Sequence, residues 1–120
     1  LASIIQKEAR DPNDMKKVSA VFHNRLRRNQ SLESDATLLY ALSRDNRTEG
    51  PLDTDYPSPY NTYRVVGLPA GPICNPGLEA LDAAIHPAKG DWVFFLSDRD
   101  GVLHFSKTFK EHVRLKRKYL

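Results

Sequence analysis

The chain has 120 residues, of which 40% are hydrophobic, 28% charged and 9% aromatic, enough for one domain with one core and too few for two. Its net charge is +3, no stretch approaches the roughly 18 consecutive apolar residues of a membrane helix, and no signal-peptide pattern is present. Its one cysteine, Cys74, leaves no partner for an intrachain disulfide and no basis for a cysteine-built metal site.

The first letters, "LASIIQKEAR", lack a methionine and lie inside an apolar helical pattern, as expected of a domain excised from a longer protein. Leu1, Ile4 and Ile5 form the stripe of a first helix that ends near Asp11-Pro12. That pair is a good N-cap and first-turn signal for a second helix running to about Arg28, with Met15, Val18, Val21, Phe22 and Leu26 on its inner side. Ser34 or Asp35 caps a short third helix, "ATLLYALS". Residues 44–62 hold Asp, Asn and Gly with Pro51, Pro57 and Pro59, the composition of a long loop, and "TYRVVG" after it has the β-branched content of a short strand.

"GLPAGPICNPG" has three prolines and three glycines in eleven residues, so it cannot be a regular element. A helix "LEALDAAIH" follows, stopped by Pro87, and "DWVFFLSDRDGVLHFS" is a β-hairpin turning at Asp98–Gly101. A basic amphipathic helix begins near Thr108. The expected fold class is α+β: a single helix-dominated domain with one small hairpin and long ordered loops rich in Pro and Gly.

Charge is unevenly placed. Lys107, Lys110, Arg114, Lys116, Arg117 and Lys118 face Glu111 alone, and Arg25, Arg27 and Arg28 form a second cluster. Such runs are ordinarily solvated helix faces; nucleic-acid binding would rest on them alone, and an anionic polymer of another kind stays open. The histidines lack carboxylates at metal-ligand spacing, and no serine lies in a nucleophile-elbow sequence. His86 before Pro87 suits a helix-end role, and His104 and His112 are expected to be satisfied or exposed. What remains is carboxylates and two rigid segments, "SPYNTY" and "GPICNPG", whose Tyr and Asn side chains suit sugar rings, hydroxyls and N-acetyl groups, or else merely staple a loop-rich domain.

Taken together, "ASIIQKEA", "VFHNRL", "LESDATLLYAL", "SPYNTY", "GLPAGPICNPG" and "AAIHPA" resemble, in order and spacing, the YceG-like (MltG-type) family of endolytic murein transglycosylases, over nearly the whole chain. The resemblance implies that residues 1–120 are the catalytic domain, without the family's upstream membrane anchor and LysM-like module. It implies cleavage of MurNAc–GlcNAc bonds in nascent peptidoglycan to give 1,6-anhydroMurNAc ends, at the outer face of the bacterial cytoplasmic membrane. Peptidoglycan strands would be the partner, with cell-wall synthesis proteins as a further class. No cofactor, metal or nucleic acid is implied, and membrane contact would come only through the anchor. Glu33, Ala36 and Ala70 stand where Gln, Pro and Pro are common in the family.

The resemblance places the family's catalytic glutamate at Gln6 and a second glutamate at Glu8. A glycosidic bond needs a proton on its leaving oxygen. In a lytic transglycosylase the muramyl C6 hydroxyl attacks, so one carboxyl donates and then accepts the proton; an amide can do neither. Gln6 is therefore expected to inactivate the chain as a deliberate substitution, or else to mark a pseudoenzyme that binds or scaffolds peptidoglycan. At ~100° per residue, positions 6 and 8 lie ~200° apart. Glu8 is thus expected to face away from the cleft and, with a buried arginine such as Arg25, to serve a structural role. Asn24, Asp35, Tyr60, Asn61, Tyr63 and Asn75 are the expected substrate-binding residues by motif position, with Asp35 equally well placed as the N-cap of the third helix and Asn24 and Arg25 equally suited to be buried hydrogen-bonding residues that hold the loops.

Overall fold

The computed structural model describes all 120 residues as five helices and one two-stranded antiparallel sheet. Helix α1 spans Ala2–Glu8 and buries Ser3, Ile4 and Ile5; at Ala9 the backbone becomes extended, with φ −145° and ψ 155°. Helix α2, Pro12–Arg27, begins as its sequence dictates: the Asp11 carboxylate accepts from the amides of Asn13 and Asp14, and Pro12 sits where no amide is needed. Its inner face, Met15, Val18 and Phe22, meets Ile4, Ile5 and Ala9 of the α1 segment and Ala80 and Ala83 of helix α4, Leu78–Ile85. This three-helix packing holds the core.

Helix α3, Asp35–Arg44, is anchored through polar groups as well as Leu38 and Ala41. Thr37 Oγ1 donates to the Ser34 carbonyl at 2.8 Å and lies 2.8 Å from Thr62 Oγ1, all inside the protein. Ser34 is the N-cap residue, without a side-chain bond to the helix. Residues 45–77 hold no helix or strand. The strand expected at "TYRVVG" is not formed: the Asn61 carbonyl accepts from the amides of both Arg64 and Val65, which winds the segment into a turn. β-Branched side chains favour a strand only where a neighbouring strand can pair with it.

Strands β1, Phe94–Ser97, and β2, Leu103–Ser106, pair antiparallel with Phe95 opposite Phe105 and Leu96 opposite His104. The hairpin is shorter than expected, Trp92 and Val93 lying outside the strand. Asp98 orders the turn, its carboxylate accepting from the amides of Asp100 and Val102 and lying 2.8 Å from His104 Nε2. Helix α5, Phe109–Tyr119, is capped by Thr108, whose hydroxyl accepts from the Glu111 amide, and it packs across both strands.

Candidate functional site

Glu8 is the last residue of α1, at the point where the chain leaves the helix and heads for the Asp11 cap. Three surface depressions meet at its side chain. One, of about 480 Å³, runs from Glu33, Asp35 and Tyr63 past Phe94 to Phe109, His112 and Lys116 of α5. A second, of about 730 Å³, lies between the α1–α2 junction and the hairpin turn and includes Gln6, Arg10, Asp14 and Asp100. The third, of about 420 Å³, reaches Asp35, Tyr40 and Ile73. Glu8 therefore lines all three depressions, which together form a groove.

Its carboxyl is partly buried and makes no ion pair. Burial, and secondarily the negative charge of Asp35, push its pKa from 4.5 up to about 7. The expected pair with Arg25 does not form. The Arg25 guanidinium, 8% exposed, donates instead to the carbonyls of Val93, Ser31 and Leu32 and lies 3.6 Å from Glu33. Those carbonyls take up its Nε and Nη1 donors, while the Glu8 carboxyl lines the groove. Positions 6 and 8 both lie within α1, about 200° apart, and both side chains border the depression beside the hairpin.

Gln6 is fixed differently. Its Oε1 accepts from the Gly77 amide at 2.8 Å, tying α1 to the start of α4. Ser3 does the same one turn earlier, its Oγ accepting from Ile73 N at 3.1 Å while its carbonyl accepts from the Cys74 thiol. So α1 and the Pro/Gly segment are joined along one edge.

Of the other expected site residues, the structure brings Asp35 and Tyr63 into the groove with Glu8. The Tyr63 hydroxyl donates to Asp35 Oδ1 at 2.6 Å. Burial and then this bond hold the Tyr63 phenol well above its usual range. Asn24 and Asn61 lie elsewhere. Asn24, 5% exposed, donates to the carbonyls of Gly90 and Trp92. Asn61, 0% exposed, donates to Thr54 and Tyr56 and accepts from the Tyr63 amide. Both are staples whose polar atoms are used within the protein. Tyr60 packs on Tyr40 at 5.0 Å between centroids, under the Arg44 guanidinium, and Asn75 is exposed; neither borders the three depressions at Glu8.

The wall formed by Phe94, Phe109, His112 and Lys116 was not among the expected residues. Phe94 is held between the Arg25 guanidinium at 5.1 Å and the His112 ring, stacked at 4.9 Å.

The whole arrangement has known counterparts. The YceG-like family model matches residues 1–118. The chain belongs to the YceG-like family. A relative from Bacillus subtilis, an endolytic murein transglycosylase, is 42% identical over 120 residues, all of this chain and 33% of the relative. A Streptococcus pneumoniae protein of the same description is 33% identical, over 95% of this chain and 22% of its own length. The chain thus spans a third or less of these family members. A crystal structure of a YceG-like protein from Listeria monocytogenes superposes with a TM-score of 0.85 at 42% identity, covering 95% of this chain and 38% of that one. The helix-and-hairpin architecture is therefore the family's, and the groove at Glu8 lies within the shared part.

Proposed function

We propose that this domain is the catalytic part of an endolytic lytic transglycosylase, with Glu8 as its acid and base. The reading is supported by the description of the relatives and by one observation above all: an unpaired carboxyl lining the groove, its pKa raised to about 7. A carboxyl with that pKa is protonated often enough near neutrality to donate, and basic enough afterwards to accept.

The reaction then balances on one residue. Glu8 gives its proton to the O4 oxygen of the departing GlcNAc as the MurNAc C1–O4 bond breaks. The C6 hydroxyl of the same MurNAc closes on C1, forming the 1,6-anhydro bond, and its proton passes to Glu8, which is ready for the next bond. No water is consumed. Asp35 carries negative charge along the groove, where it opposes ionisation of Glu8 and favours the positive charge developing at C1.

In this reading position 6 holds the α1–α4 junction, a task that Gln performs through its Oε1, and the chain is active as it stands. The competing reading keeps the acid at position 6, so that Gln6 leaves a non-catalytic module that binds or scaffolds peptidoglycan; it is favoured by the motif position that the resemblance assigns to the acid and by the place of Gln6 on the rim of the groove. The implied setting, the outer face of the cytoplasmic membrane with an anchor outside residues 1–120, goes with either. None of the helices described is long and apolar enough to cross a membrane.

The deciding experiment incubates uncrosslinked glycan strands with the parent protein, Glu8→Gln and Gln6→Glu, and measures anhydro-muramyl ends by mass spectrometry. The parent is expected to cleave, Glu8→Gln to lose on the order of 10²–10⁴ in rate, and Gln6→Glu to stay within about tenfold of the parent. An inert parent rescued by Gln6→Glu would move the acid to position 6. Product from none of the three would leave the binding module.

A further inference from the structure

The α5 end of the groove has a chemistry that a neutral glycan does not need. Lys116 borders the cavity that contains Glu8, and no carboxylate lies within 4.0 Å of its ammonium group. Arg25, the other cation there, is occupied by three backbone carbonyls and Glu33. His112, in the same wall, is nine-tenths buried, and its Nδ1 has no hydrogen-bond partner. Burial, then Lys116 and Arg25, lower its pKa, so the imidazole is neutral and Lys116 is the free positive charge at this end. Phe94 and Phe109 add aromatic surface beside it, with ring centroids 5.8 Å apart.

The cavity thus holds both signs, the carboxyl groups of Glu8, Glu33 and Asp35 and an ammonium that pairs with none of them. We propose that the α5 end is a carboxylate subsite in which Lys116 pairs with the acidic peptide substituent of a muramyl residue, making the domain selective for peptide-bearing strands over denuded ones. The proposal rests on the peptidoglycan reading above. The physical case is charge complementarity at the rim of the groove, where Lys116 is exposed: an acidic peptide hangs from the lactyl ether of every second sugar, and a sugar lying over the exposed Phe109 ring would direct that substituent toward α5. Lys107, Lys110, Arg114, Arg117 and Lys118, with Glu111 as the one acid among them, add a positive field around the same helix. That field draws an anionic strand in, and Lys116 fixes its register.

The test is a binding measurement that does not need turnover. Uncrosslinked peptide-bearing strands, and the same strands stripped by an amidase, are titrated against Glu8→Gln protein by calorimetry at moderate ionic strength. Peptide-bearing strands are expected to bind about threefold to fivefold more tightly, the worth of one exposed ion pair. Adding Lys116→Gln should bring the ratio to within about twofold, while Lys116→Arg should keep it. Lys110→Gln serves as a control for α5 charge in general and should keep most of the preference. Equal affinity for the two strands would overturn the subsite and leave the peptidoglycan reading standing, as would a Lys116→Gln protein weakened equally toward both. A loss in Lys110→Gln as large as that in Lys116→Gln would replace the subsite by a diffuse field. Binding of neither strand would overturn the peptidoglycan reading and the subsite with it.

Discussion

Glu8 and Asp35 share a groove and are treated unequally by it. Asp35 accepts the Tyr63 hydroxyl, whereas burial, and then the charge of Asp35, raise the Glu8 carboxyl to about 7. Asp35→Asn should lower the Glu8 pKa and move the alkaline limb of kcat/KM toward acid by up to about one unit; an unmoved limb would exclude the charge coupling. Ionising Glu8 also costs stability. Its folded pKa, about 7, lies above the ordinary 4.5, so the folded state holds the proton more tightly than the unfolded chain. Stability from this source is fully present below about pH 4.5 and is lost as pH rises through 7. Glu8→Gln should therefore melt with the parent at pH 4 and be more stable by about 2–3 kcal/mol at pH 8, as read by paired thermal melts. A variant destabilised at both pH values would instead point to a structural pair. The sequence pointed to Arg25 as the neighbour of Glu8, whereas long-range packing gives Arg25 the carbonyls of Val93, Ser31 and Leu32 and the Glu33 carboxylate.

At the scale of elements, what could be read from the letters is what local chemistry decides. Asp11-Pro12 and Thr108 start helices because their side chains and missing amide satisfy first-turn groups, and Asp98–Gly101 turns the hairpin through short local bonds. Asp11→Ala should cost about 1 kcal/mol, a shift of a few degrees in Tm, with α2 still formed through its buried face. "TYRVVG" went the other way because its conformation is set by Asn61, whose carbonyl and amide close turns on either side. Asn61→Ala removes two donated bonds and one accepted bond from a residue that is 0% exposed. It should cost about 2–3 kcal/mol and also raise KM, since Tyr63 hangs from that turn. Loss of stability with KM unchanged would show that Tyr63 is held by Asp35 alone.

Over the whole molecule the groove joins parts that the sequence keeps far apart: the end of α1, the approach to α3, Tyr63, the hairpin and α5. Their convergence depends on long-range packing, which no local pattern encodes, and this is why Phe94 and Lys116 were not expected in the groove and why His112, expected to be satisfied or exposed, is instead buried with its Nδ1 unpartnered. Packing is also uneven. The principal cluster joins α1, α2 and α4 through Ile5, Phe22 and Ala80, whereas α5 buries His112 alone and leaves Phe109 exposed. The C-terminal end of α5 is tied by the stack of Tyr119 on His104, 3.8 Å between centroids, and His104 is in turn held by Asp98. With so little apolar burial, α5 should open well below the free energy of global unfolding. In native-state hydrogen exchange its amides should exchange at least tenfold faster than those of α2, and Tyr119→Ala should speed them further without altering α2. Because α5 forms one wall of the groove, peptide-bearing glycan should slow its exchange, since a ligand that binds only the closed form adds its binding free energy to closure. Equal protection of α5 and α2 would place α5 in the cooperative core, and protection that ignores the ligand would take α5 out of the binding site.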